Sequence, residues 1–157
     1  MNRKWAWMLM VLFSFVGCDR ITDLSSQAEF SKYIGKAYQT KMNLVAVDAN
    51  GNRSDLILEE AGSLGVPPLE RMKSFPYVEN GITVVGVVPV GSLLKVTKIQ
   101  RFQSTEHSIV DVFVDIQGKH PFGGKTIRAD VLLDVVSGPE PKMDPKYVEE
   151  VPAPSGK

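Results

Sequence analysis

A two-residue rhythm constrains this chain more than any other feature. From Ile109 to Gln117, Val110, Val112, Val114 and Ile116 fall on one side of an extended backbone, with Asp111, Phe113 and Asp115 on the other. Successive side chains of a strand point to opposite faces, so this pattern predicts a half-buried strand. Thr126 to Val135 repeats it, with Ile127, Ala129, Val131 and Leu133 inward. Tyr38, Thr40, Met42, Leu44 and Ala46 alternate with Gln39, Lys41 and Asn43, which predicts a strand over 37–48. Asp48-Ala49-Asn50-Gly51-Asn52 is turn chemistry, because Asn-Gly tolerates positive φ. Asp55 to Glu60 then returns as the second strand of a hairpin.

Ile82 to Val90 is nearly all apolar and β-branched, as a strand buried on both faces requires. Gly86 within it marks a bulge or a close contact. Leu93 to Phe102 is ambiguous between helix and strand; Val96, Thr97 and Ile99 and the preceding turn favour strand. Ser104 to Ser108 is a polar turn and Gly118 to Lys125 a loop. One helix is expected over 27–34. Ser26 and Glu29 form a capping box, Phe30, Tyr33 and Ile34 share a face, and Gly35 stops it. Ala61 to Asn80 contains Val66-Pro67-Pro68, which forbids a regular helix or central strand there, though a short helical turn fits Leu69–Met72. Its Phe75, Tyr77 and Val78 predict a connection that covers an apolar surface.

The amino terminus has a different character. Arg3 and Lys4 precede an apolar run from Trp5 to Val16, then Gly17 and Cys18. As a helix that run is about 18 Å long, against roughly 30 Å of hydrocarbon, too short for an ordinary membrane span. Phe15-Val16-Gly17-Cys18 resembles the processing box of bacterial lipoproteins, with Phe15 where leucine is usual. The resemblance covers residues 1–18 and implies cleavage between Gly17 and Cys18, with acylation of Cys18. Two or more acyl chains anchor a protein almost permanently. Asp19 after the cysteine resembles an inner-membrane retention signal. The expected organisation is a signal peptide over 1–17, the lipidated cysteine and a tether over 18–26, a single β-rich domain over 27–136, and a proline-rich extended tail over 137–157. Tyr147 and Val148 are the tail residues suited to docking on the domain.

Cys18 is the only cysteine, so no intramolecular disulfide forms and packing alone must hold the core. Charge is balanced at 18 basic and 18 acidic residues, which gives no electrostatic footprint for nucleic acid. Ala61-Gly62-Ser63-Leu64-Gly65 resembles a nucleophile elbow, but the prolines that follow deny Ser63 the required helix. His107 and His120 fall in predicted turns, and without a free cysteine they make a poor zinc set. Asp111 and Asp115 stand about 13 Å apart along a strand, too far to share an ion. They read instead as solvated or salt-bridged, with Arg128 on a neighbouring strand as a partner. Gly123-Gly124-Lys125 lacks the rest of a phosphate loop.

One helix and six or so strands with short turns predict a mainly β fold, a small antiparallel barrel or bent sheet. Pro89 to Val96 resembles the turn leading into a strand of bacterial SH3-like barrels. The functional expectation is a non-enzymatic, lipid-anchored envelope protein that binds a protein partner, as an accessory part of a secretion or envelope-assembly complex. No cofactor or metal is expected. Phe75, Tyr77, Asp111, Phe113, Asp115 and Tyr147 are the expected contacts. An immunity or inhibitor lipoprotein, acting against a periplasmic toxin or hydrolase, is the alternative. A Ser63 esterase is a remote third.

Overall fold

The computed structural model describes residues 19–48, 55–63, 65–118, 122, 125–136 and 140–152. Residues 1–18, read above as a signal peptide and lipidated cysteine, the segment 49–54, His120, Gly123-Gly124 and the last five residues lie outside them. The fold is mainly β. Along the chain run β1 (Arg20–Asp23), the single-turn helix α1 (Ala28–Ser31), β2 (Ala37–Thr40), β3 (Leu44–Asp48), β4 (Asp55–Glu60), β5 (Tyr77–Glu79) and β6 (Ile82–Val88). There follow β7 (Leu93–Gln103), β8 (Ser108–Ile116), β9 (Thr126–Arg128), β10 (Leu133–Asp134), β11 (Lys142–Met143) and β12 (Val148–Glu150). Ten of the described strands form one sheet in the order β12-β2-β7-β8-β9-β4-β3-β6-β5, with β1 beside β7. All its pairs are antiparallel except β4 with β9, so the sheet is mixed. β10 and β11 make a separate two-stranded ladder.

Strand β7 is the spine. Its eleven residues pair along their length with β8, and a bulge between Val96 and Lys98 bends the ladder. The other edge of β7 is shared. β2 takes its first residues, Leu93 to Lys95, and β1 its last, Gln100 to Gln103. α1 lies in the chain between those two strands and sends Phe30 into the core, and Tyr33 follows from the turn after it. Phe30, Tyr33 and Ile34 thus turn to the core as expected, but only Phe30 from the helix itself, and Gly35 ends the segment at φ +80°. The expected capping box is not formed. Gln27 is the N-cap and no side chain caps the helix, which is one turn rather than 27–34. Ser26 is exposed, and it is its neighbour Ser25 whose hydroxyl is engaged, accepting the Ile99 N–H of β7 at 3.0 Å.

The strand expected over 37–48 is two strands separated by a corner. Thr40, buried, locks that corner: its hydroxyl donates to the Pro89 carbonyl at 2.8 Å and accepts the Ser92 N–H at 3.0 Å. Asn43 accepts the Val90 N–H at 2.9 Å. The chain therefore leaves β7 at Thr40, rounds the Pro89–Ser92 turn, and joins β6 as β3. Among the described residues no ladder closes the sheet on itself. The barrel expectation gives way to an open, bent, mixed sheet.

Two apolar clusters fill the bends. The larger packs Leu44, Leu56, Leu58, Leu94, Val96, Ile99, Val112, Val114 and Ile127 on one face of the sheet, with Phe30 and Leu132. The smaller lies on the opposite face of β3 and β6, where Val45, Val47 and Val84 meet Val66 and Met72 from the 61–80 connection. This explains why β6 is apolar on both faces; the connection covers it as expected, but through Val66, Met72 and Tyr77, while Phe75 and Val78 are exposed. The 3-10 turn Leu69–Arg71 sits where a helical turn was expected, while Tyr77–Glu79 adds an edge strand to β6. Gly86 meets both readings of its glycine. The β3–β6 register shifts beside it, and a Cβ there would lie 3.0 Å from the Phe122 ring.

Three further segments differ from expectation, each through partners distant in sequence. The polar stretch read as a tether contains β1, which pairs Ile21 with Phe102. The strand read over Thr126–Val135 is the short β9, a 3-10 turn at Asp130–Leu132 and then β10. Alternation fails there, for Ala129, Leu132 and Leu133 are all buried. The proline-rich segment supplies β11 and β12, and Val148, opposite Thr40, is buried in the main core. The Tyr33 hydroxyl donates to the Pro141 carbonyl, which ties this segment to the helix region.

Candidate contact surface

The alternation of β8 presents Asp111, Phe113 and Asp115 on the face opposite the main core, and the register assembles a surface around them. Lys95 lies opposite Asp115, Lys98 opposite Phe113, and Gln100 opposite Asp111. Arg128 faces Phe113 from the other side. The Lys98 ammonium stands 5.7 Å from the centre of the half-buried Phe113 ring, within range of a cation–π attraction. Asp115 is exposed.

Asp111 does not share that exposure. It is 4% exposed, with the Arg128 guanidinium at 3.4 Å and the Gln100 amide donating to it at 3.1 Å. The pairing with Arg128 expected from sequence is present. Asp130 flanks the same guanidinium at 3.6 Å, and its carboxylate accepts the Val112 N–H at 3.1 Å. Burial pushes the Asp130 carboxyl up to about 6, against the opposing pull of Arg128. Burial raises Glu59 as well. One buried carboxylate, Asp111, and two half-buried ones, Asp130 and Glu59, thus gather around one arginine. Burial and the neighbouring negative charge favour the protonated form of Asp130, and burial favours that of Glu59, each against the pull of Arg128. Asp130 and Glu59 escaped sequence reasoning because the 3-10 turn and the parallel β4–β9 pairing bring them there.

Beside this surface, where β7 begins, lies an open cleft of about 580 Å³ lined by Lys36, Ala37, Leu93, Lys95, Gln117 and Val151, among others. Ala37 and Lys95 face each other across β2 and β7, and Lys95 in turn faces Asp115, so the cleft adjoins the β8 surface. Its rim carries the Lys36–Glu150 ion pair at 2.7 Å. Sequence reading missed the cleft because β12, from the supposed tail, supplies one wall. Beneath it in the fold, Tyr38 is buried with no hydrogen-bond partner for its hydroxyl among the described residues. Burial first, then the Glu150 and Tyr33 charges, push that phenol up to about 12.

The remaining sequence-derived candidates stand apart. Phe75, 40% exposed, belongs to the connection over β3 and β6. Tyr77 packs in the smaller cluster, and its hydroxyl donates to Glu79 at 2.8 Å. Tyr147 donates to Glu60 at 3.0 Å, and Lys146 pairs with the same carboxylate at 2.6 Å. Ser63 follows β4 in a tight turn, its backbone N–H donating to the Glu60 carbonyl, and among the described residues no α-helix follows it. His107 is exposed in the β7–β8 turn. Among the described residues no group of three or more His, Cys, Asp or Glu is placed to hold a metal ion, and no helix is long and apolar enough to cross a membrane. Comparison of the chain with protein-family models, curated proteins and solved structures finds no match.

Proposed function

We propose that this chain is a lipid-anchored protein of the bacterial envelope whose β-domain binds a protein partner and performs no catalysis. The anchor reading rests on Phe15-Val16-Gly17-Cys18 and the short apolar run before it. Asp19 favours the inner membrane, facing the periplasm. The observation that carries the binding reading is the continuity of the cleft with Lys95, Asp115 and Phe113. It combines an apolar floor, an aromatic side chain and exposed charges of both signs, the mixture that protein interfaces use. Phe113 with Lys98 is the natural anchor, and Asp115 and Lys95 set charge preference at the rim.

The test is photo-crosslinking in cells from a benzophenone amino acid at Asp115 or Gln117, with Val136 as the control position. A single protein captured from both cleft positions and absent from the control is expected. It should disappear in the Lys95→Glu variant and weaken when Cys18→Ser releases the chain from the membrane. Identical capture from all three positions, or from neither cleft position, refutes the assignment of this surface.

A further inference from the structure

We propose that the end of the sheet bearing Ile21, Phe102 and Ile109 rests on the lipid bilayer, at the boundary between headgroups and acyl chains; this builds on the lipoprotein reading above. Ile21 is paired with Phe102 and Phe102 with Ile109. The three side chains therefore form one row across β1, β7 and β8 on a single face. Directly opposed residues of antiparallel strands stand roughly 5 Å apart, so the row is contiguous. Ile21 is 64% exposed and Ile109 48% exposed, with Phe102 half-buried between them. A continuous apolar row in water marks a contact surface where a single exposed isoleucine would not.

Chain length selects the occupant. β1 begins at Arg20, with only Asp19 between it and Cys18. Two residues reach at most about 7 Å, so an acylated Cys18 holds Arg20 at the headgroups and Ile21 one residue further. No flexible tether intervenes, because the segment that would supply one is a strand. Arg20 and Arg101 stand at this same end but, one position from Ile21 and Phe102, on the other face of the sheet; they pair with no described acidic residue, and with the end of the sheet set into the headgroups they reach phospholipid phosphates. Glu106, the acid of the adjoining β7–β8 turn, lies 4.0 Å from His107. The opposite end of β7, with Leu93 and the cleft, is about 30 Å away along the strand. In this orientation the cleft faces away from the membrane and is open to a partner.

Both tryptophans, Trp5 and Trp7, precede Cys18, so the processed chain carries none. This allows a single-tryptophan test. Acylated protein carrying either Ile109→Trp or Val90→Trp is placed in phosphatidylethanolamine–phosphatidylglycerol vesicles with brominated acyl chains. Val90 is exposed in the turn before β7, at the far end of that strand. Intact mass and vesicle flotation are measured on the same samples. I109W is expected to shift its emission to the blue and to be quenched by bromine, while V90W is not. Adding Ile21→Ser to I109W should relieve the quenching without loss of flotation. An acylated, floating I109W protein that emits as in water refutes the docking and leaves the lipoprotein reading standing. A blue shift without quenching that grows with protein concentration also refutes it, assigning the row to a second copy of the chain. An unmodified Cys18 in a protein that does not float overturns the lipoprotein reading and the docking with it.

Discussion

Replacing Asp130 by asparagine makes the domain more stable at neutral pH and leaves it unchanged in acid. Asp130 is three-quarters buried at its side chain and sits beside Arg128, with Asp111 and Glu59 adding negative charge nearby. Its carboxyl is raised from 3.8 to about 6. Between those two values the folded chain keeps a proton that the unfolded chain releases. Stability therefore falls as pH rises through the window, and the loss is complete above about 6. A shift of this size corresponds to about 3 kcal/mol. Asparagine keeps an oxygen to accept the Val112 N–H and cannot ionise. The variant should gain up to about 3 kcal/mol over the parent at about pH 8, with the gap closing below about pH 4. The assay is urea unfolding of residues 19–157 across that range, followed by far-ultraviolet circular dichroism. An asparagine variant no more stable than the parent at about pH 8, or a gap that persists unchanged in acid, refutes the reasoning.

Gly86→Ala forces a Cβ to within 3.0 Å of the buried Phe122 ring and should cost roughly 1–3 kcal/mol, read from the urea midpoint. Leu94→Ala empties a fully buried site between β2 and β8 and should cost about 2–5 kcal/mol, with the unfolding slope unchanged. Val148→Asp places an unpaired charge in the main core; if the proline-rich segment is part of the fold, limited proteolysis should cut the variant near residues 140–150 while the parent resists. Asp115→Asn, at an exposed position, should leave stability within about 0.5 kcal/mol of the parent at every pH, and so separates surface carboxylates from the buried set.

Two kinds of information built this molecule. Local sequence determined that β6, β7 and β8 are strands, because β-branched runs and two-residue alternation hold whatever those strands pair with. It also determined the stop at Gly35, the special place of Gly86, and the face on which Asp111, Phe113 and Asp115 stand. Pairing between distant segments decided the rest. Arg20–Asp23 and Val148–Glu150 are too short and polar to declare themselves as strands, and they become strands because β7 and β2 offer free edges. Thr40 turns one long alternating segment into two strands because its hydroxyl finds Pro89 and Ser92 across the fold. Asp111 looks like a surface carboxylate in sequence and is buried because Arg128 and Asp130 arrive from β9 and the turn after it. Alternation reports which side of a strand a residue occupies; only the tertiary structure decides whether anything covers that side.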